Sequence, residues 1–331
     1  MTLYALNNTH EIEIIDPVTK KPLTKREDGL YNTNQNLYPK VRGAYRVTDP
    51  ENYATSFGFQ WNKFQKTQID RSHQQLDFSK ERFFASTNWD KEDLEGKSVL
   101  EVGSGAGRFT QVVLEHTKGN LYSLDYSDAV TANYRNNGHY GDRLNLFQAS
   151  IYEMPFRNDS FDKVFCFGVL QHTPDFKDSV KCLVDKVKPG GELVVDFYPI
   201  KGWWTKIHSK YLLRPFTKKM SHEKLLGKIE RNADRLINLY QFFDKIGVGK
   251  AVNRFLPVCD IKNTLPENLS PEQLHEWVIL DTFDMFSPEH DHPQRVKKVK
   301  KWFEEFGMDV MFAGFVKRGK HEGAIVKGIK K

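Results

Sequence analysis

The stretch Ser98-Val-Leu-Glu-Val-Gly-Ser-Gly-Ala-Gly-Arg108 constrains this 331-residue chain more than any other. Val99, Leu100 and Val102 read as a short buried strand, and Gly103, Gly105 and Gly107 follow it directly. Phe109, Val112, Val113 and Leu114 then suit one face of a helix, so the glycines form a strand-to-helix turn. Glycine tolerates positive φ and lets a backbone approach a ligand closely. The free N–H groups of the following helix point at whatever sits there. Where the dinucleotide pattern G-x-G-x-x-G takes its third glycine, this chain has Arg108, and the spacing is G-x-G-x-G behind an acidic Glu101. A second strand, Asn120-Leu-Tyr-Ser-Leu-Asp125, ends in a carboxylate about 20 residues on, where a nucleotide-binding α/β unit holds a ribose diol.

These residues resemble the class I S-adenosylmethionine-dependent methyltransferases, whose motif is E/D-x-G-x-G-x-G after the first strand and an acid ending the second. Ala149-Ser-Ile-Tyr-Glu-Met-Pro-Phe156 and Ser160 to Pro174 are similar to the family's third and fourth strands, and Val187-Lys-Pro-Gly-Gly-Glu-Leu-Val-Val195 to its turn into the fifth. The resemblance implies an α/β fold: a doubly wound, Rossmann-like sheet with an antiparallel last strand. It implies S-adenosylmethionine as cofactor and S-adenosylhomocysteine as product.

Cofactor contacts are then expected at Glu101, Gly103, Ser104, Gly105, Gly107 and Arg108, with Glu101 near the methionine ammonium. Asp125 would accept from the ribose hydroxyls, and Tyr126 would follow along the adenine. Ser150 stands where the family usually has an acid for the adenine amino group, and Ile151 offers a backbone N–H. Phe167, Gly168 and Val169 should line the methionine part. His172, in Leu170-Gln-His-Thr-Pro174, is the candidate general base, since imidazole titrates near neutrality. The alternative is that it only orders the loop after the strand or packs over the cofactor.

Five segments are expected. Residues 1–50 read as a small β-rich extension packed on the main domain, with Glu11–Ile15 as one of its runs. Residues 51–94 read as a helical lid or linker. Their Tyr53, Phe57, Gln60, Trp61 and Gln68 lie in a segment similar to the Y-x-x-S-F-G-x-Q-W of an uncharacterised methyltransferase subfamily. Phe57, Trp61 and Phe64 share a helix face, which also suits core packing. Residues 95–200 form the cofactor-binding core, 201–270 a helical insertion after the fifth strand, and 271–331 the completion of the sheet. Tyr198 and Asp284 join the lid residues as substrate-side candidates.

In the insertion, Trp203, Trp204, Ile207, Tyr211, Leu212 and Phe216 interleave with lysines and Arg214. Residues 203–219 thus suit either a cap over the substrate or contact with an anionic membrane surface. Leu225 to Phe243 keep a helical period whose apolar face must meet the core, a twin subunit in a homodimer, or both. Asp281, Asp284, His290, Asp291 and His292 crowd together, but without helical ligand spacing or thiols they read as pocket-lining groups, and no metal is expected.

The net charge of +6 is too mild to indicate nucleic-acid binding, which wants a concentrated basic stripe. Cys166, Cys182 and Cys259 are odd in number and far apart, no apolar run spans a membrane, and Met1 to Asn8 lack a signal-peptide pattern. The expectation is a cytoplasmic methyltransferase acting on a small-molecule or glycan-like acceptor, at oxygen. The alternatives are a cofactor-binding protein without catalysis and a tRNA or protein methyltransferase. Arg108 in place of glycine argues against a nicotinamide dehydrogenase.

Overall fold

The computed structural model describes residues 11–49, 51–73, 77–90, 92–318 and 320–331. The signal-peptide reading of Met1 to Asn8 therefore lies outside the described residues. Four short strands come first: β1 (Thr24–Arg26), β2 (Gly29–Tyr31), β3 (Leu37–Val41) and β4 (Ala44–Arg46). Helices α1 (Thr55–Lys63) and α2 (Phe78–Thr87) follow. Then come β5 (Ser98–Val102), α3 (Arg108–His116), β6 (Asn120–Asp125), α4 (Val130–Asn137), β7 (Leu144–Gln148), β8 (Phe161–Phe167), α5 (Phe176–Lys186) and β9 (Val187–Phe197), alternating except between β7 and β8, where a short turn stands in place of a helix. The insertion holds α6 (Ser209–Thr217), α7 (His222–Lys245), α8 (Gly249–Val252) and α9 (Ile261–Thr264). Helices α10 (Pro271–Phe286) and α11 (Val296–Glu305) lead to β10 (Met308–Arg318) and β11 (His321–Lys330).

Among the described residues the strands form one sheet, ordered β1-β2-β3-β4-β7-β6-β5-β8-β9-β11-β10. Every residue of β5 is buried, as a strand covered on both faces requires: Val99, Leu100 and Val102 fill the core, and Ser98 and Glu101 are buried with them. Leu100 and Val102 pack with α5 and α11 on one face, while Val99 packs with α2 and α3 on the other. β5 pairs in parallel with both β6 and β8, so strand order reverses beside it. Ligands of such sheets bind outside the carboxyl ends of the strands at that reversal. β11 runs antiparallel between β9 and β10.

The N-terminal extension differs from a small sheet packed on the core. β4 pairs in parallel with β7, so the extension continues the central sheet at its edge. Glu11–Ile15 do not form a strand; Ile14 and Ile15 make only isolated bridges, to Phe156 and Pro22. Arg46 fastens the junction: Nη1 donates to Asp128 Oδ1 at 2.7 Å and Gln148 Oε1 at 2.8 Å, and Nη2 to Thr131 Oγ1 at 2.9 Å.

The apolar face of α7 is covered within the chain. Leu225, Leu226, Ile229 and Ala233 meet Ile279, Leu280 and Phe283 of α10, so this face is not open to a twin subunit. Helix α10 starts sharply, with Ser270 and Gln273 forming a capping box and Pro271 in the first turn. Among the described residues no helix is long and apolar enough to cross a membrane.

Replacing Arg46 by Ala should cost on the order of 1–2 kcal/mol, discounted for the half-exposed Asp128. A urea melt reads this as a lower midpoint, and an unchanged midpoint would show that the edge pairing does not depend on it.

Candidate functional site

The chain bends sharply after Val102. Gly103 and Ser104 both donate their backbone N–H to Leu124 O, at 2.7 and 3.1 Å, and Gly105 N–H donates to Asp125 Oδ2 at 2.8 Å. Gly103 sits at φ +83°, and a Cβ there would lie 2.1 Å from Val169 Cγ2. Only glycine lets the end of β8 come this close.

The turn forms one end of a cavity of about 660 Å³. Around that end stand Gly103, Ser104, Gly105, Asp125, Tyr126, Ile151, Phe167, Gly168 and Val169. Tyr53, Phe57, Gln60 and Trp61 of the lid close over it, with Gln68 beyond them. Tyr53 packs on Tyr126 with ring centroids 4.9 Å apart, and Phe57 on His172 at 5.1 Å. Of the lid's shared helix face, Phe57 and Trp61 line the cavity while Phe64 goes into the core beside α7 and α10. Arg108 ties the α3 helix to the lid, donating from Nη1 to Gln68 Oε1 at 2.6 Å and from Nε to Ser79 Oγ at 3.1 Å. Burial pushes the Asp125 carboxyl up, and bonds from Ser127 and Gly105 oppose that shift.

Three residues expected to touch the cofactor do not reach the cavity wall. Glu101 lies behind the turn, where Oε2 accepts from Thr110 Oγ1 and, at 2.8 Å, from Ser123 Oγ. Its burial pushes the carboxyl up to about 7. Gly107 faces α4 instead: a Cβ there would lie 2.2 Å from Asn133 Oδ1, so packing is what requires this glycine. Ser150 caps the turn after β7 by accepting from Tyr152 N–H at 3.2 Å.

The far end of the cavity is polar. Tyr198 follows β9, and its hydroxyl donates to Asp284 Oδ2 at 3.3 Å. His172 is buried, with Nδ1 at 3.0 Å from His290 O. A carbonyl only accepts, so Nδ1 carries the proton and Nε2 the lone pair. Burial holds the imidazole below its ordinary pKa and therefore neutral at pH 7. The crowd at 281–292 divides. Asp281 and Asp284 line the cavity, Asp284 meeting Tyr198; Asp291 meets Lys210 Nζ at 2.8 Å and Arg214 Nη1 at 3.1 Å; and the His290 ring stacks on His292, centroids 5.7 Å apart, while its carbonyl meets His172.

Sequence reasoning missed several lining residues. Arg82 of α2 pairs with Asp196 at the end of β9, and Asp196 also accepts from Gly168 N–H. On α10, Trp277 and Met285 were missed too; they share one face with Asp281 and Asp284, the pocket-lining acids that the sequence does point to. Their i, i+4, i+7, i+8 spacing was readable as a polar interruption of an apolar helix, whereas nothing local marked Arg82. Burial and the neighbouring Asp284 push Asp281 up to about 7.

A family described as "Methyltransferase domain" matches residues 100–195, which hold the glycine turn, Asp125 and the end of β8. The chain carries a class I S-adenosylmethionine-dependent methyltransferase domain. Among curated proteins, a tRNA U34 carboxymethyltransferase of Nautilia profundicola is 32% identical over 33% of this chain and 37% of its own. A sterol 24-C-methyltransferase of Pneumocystis carinii is 28% identical over 44% of this chain and 38% of its own. The matches to the tRNA-modifying relatives span only 35–50% of their lengths. A solved structure of magnesium protoporphyrin IX methyltransferase from Synechocystis PCC 6803 with bound SAM aligns over 86% of this chain and 100% of its own. Its identity is 12% and its TM-score 0.47. S-adenosylmethionine is the cofactor of this class of domain, and the cavity fits it: Ser104 Oγ and Gln60 Oε1, buried in the wall, have no hydrogen-bond partner among the described residues.

Asp125→Ala should weaken S-adenosylmethionine binding at least tenfold in calorimetry, because each charge-assisted bond to a ribose hydroxyl contributes about 1.5–3 kcal/mol. An unchanged affinity would remove the ribose assignment. Glu101 yields a pH test. Between its ordinary 4.5 and the folded value of about 7, the folded chain keeps a proton that the unfolded chain has lost. Stability therefore falls as pH rises through that window, by on the order of 3 kcal/mol. Glu101→Gln should flatten this slope in urea melts taken across the window.

Proposed function

We propose that the protein transfers the methyl group of S-adenosylmethionine to a hydroxyl oxygen of a small-molecule or glycan-like acceptor held in the far half of the cavity. What supports this is one cavity lined both by the glycine turn with Asp125 and by a mixed set of donors and acceptors. A hydroxyl both donates and accepts, so a polyol is matched by carboxylates and N–H donors together. Asp281 and Asp284 supply the first, and Lys210 the second. Trp277, 3% exposed, has its indole Nε1 without a partner among the described residues, and its ring offers a flat apolar face.

When bound, the cofactor supplies an electrophilic methyl on a sulfonium with a neutral thioether as leaving group. The chain's contribution is alignment and exclusion of water. In this reading Gly103, Ser104, Gly105 and Asp125 fix the cofactor, Tyr53 and Tyr126 cover its base, and Phe167 to Val169 flank its methionine. Ile151 offers its N–H, and Arg108 and Gln68 hold the lid shut over them. Tyr198 and Asp284 orient the acceptor hydroxyl. His172 Nε2 takes its proton as the oxygen–methyl bond forms.

A tRNA acceptor is the second reading, favoured by the names of the tRNA-modifying relatives. Tritiated-methyl labelling of a cell extract separates the two. Label should enter the fraction that is neither nucleic acid nor protein, and label in tRNA would establish the second reading. His172→Ala should lower that incorporation about 100-fold or more while sparing cofactor affinity. Full activity would remove His172 as the base.

A further inference from the structure

Helix α6 is amphipathic with its faces reversed. Lys210 and Arg214 turn inward to Asp291, whose side chain is 3% exposed, and Arg214 also donates to Pro288 O. The apolar residues turn outward: Phe216 is 68% exposed and Leu212 58%. The helical turn before it exposes Trp203 by 79% and Trp204 by 48%. Arg254 donates to the carbonyls of Trp204 and Ile207, and the next residue, Phe255, is exposed. Across the other edge, Lys201 lies over the ring of the exposed Phe315, 5.2 Å from its centroid. The exposed apolar residues of 203–216 make an aromatic strip beside the cavity, since Thr205, His208 and Tyr211 of the same segment line the cavity wall.

The strip is basic. Residues 201–219 include Lys201, Lys206, Lys210, Arg214, Lys218 and Lys219 and no acidic residue. Lys210 and Arg214 are spent on Asp291, whereas Lys206, Lys218 and Lys219 are exposed and form no ion pair among the described residues.

We propose that this strip docks on an anionic lipid bilayer, with Trp203, Trp204, Leu212 and Phe216 entering the headgroup boundary and the three lysines meeting lipid phosphates. Exposed aromatics flanked by lysine are what such a boundary accepts. The charge also selects against a second copy of the chain. An isologous contact sets a patch against itself, so Lys206, Lys218 and Lys219 would face their own counterparts. Docking adds to the methyltransferase reading, on which it rests only in what it implies for the acceptor: the cavity mouth is held at the lipid–water boundary.

The test is flotation of the full chain with vesicles of phosphatidylcholine alone and of phosphatidylcholine with phosphatidylglycerol. The protein should float with the anionic vesicles and be weakened by salt. Trp203→Ala/Phe216→Ala should reduce the bound fraction at least tenfold, and Lys206→Glu/Lys218→Glu/Lys219→Glu should abolish the preference for anionic lipid. Calorimetry with S-adenosylmethionine shows that each variant is folded. It also separates the two readings, since a chain that floats without binding the cofactor upholds docking and overturns the methyltransferase assignment. Wild-type protein that stays with the buffer overturns docking, as do variants that float equally well. A concentration-dependent dimer, dissolved by the double variant and indifferent to vesicles, also overturns it and makes the strip a subunit contact.

Discussion

The bend after β5 depends on acceptors supplied by β6. Leu124 O takes two N–H groups from the turn and Asp125 Oδ2 takes a third, from Gly105. These bonds satisfy backbone donors that would otherwise be buried without partners, and they fix Asp125 beside the glycines. Behind the turn, Glu101, Thr110, Ser123 and Asn133 form a buried polar cluster joining β5, α3, β6 and α4. The acid of the glycine motif therefore shapes the cavity from outside it: Glu101 positions the elements that position the turn.

The lid is held from three sides. Asp70 caps α2, accepting from the backbone N–H groups of Ser79 and Lys80. Gln68 accepts from Arg108 of α3, and Thr67 donates to Glu276 of α10. Residues 67–70 thus join α2, the glycine helix and α10. A shift of α10 against α3 would have to break one of these bonds, which couples the acceptor end of the cavity to the cofactor end.

The core was legible in the sequence because its signals are local: a strand that must be apolar on both faces, a turn that must be glycine, a carboxylate at a strand end. Non-local facts were not legible. Gly107 looks like its neighbours in sequence, and only the approach of Asn133 shows that it serves packing. Arg82 finds Asp196 across 114 residues. The basic and aromatic content of residues 203–219 was plain, but which face turns outward depends on Asp291, and no periodicity within the segment reports that. The described part of the N-terminal extension holds four short strands, yet its parallel pairing with β7 is a tertiary choice that short strands do not encode.

Electrostatics around the acceptor end bear on where a proton would go. His172 and Asp281 both line the cavity, one kept neutral by burial and the other pushed up to about 7 by burial and Asp284. Protonating Asp281 only relieves repulsion with Asp284, and that relief is already present whenever its proton is on. Protonating His172 creates a cation, which Asp284 and, more weakly, Asp291 favour electrostatically while Lys210 opposes it. The same pair therefore stabilises the state reached as an acceptor oxygen loses its proton, while burial keeps the ring neutral beforehand. In the proposed reaction this asymmetry assigns proton transfer to His172. It leaves Asp281 as a hydrogen-bonding partner for the acceptor, one helical turn from the indole N–H of Trp277, which has no partner among the described residues.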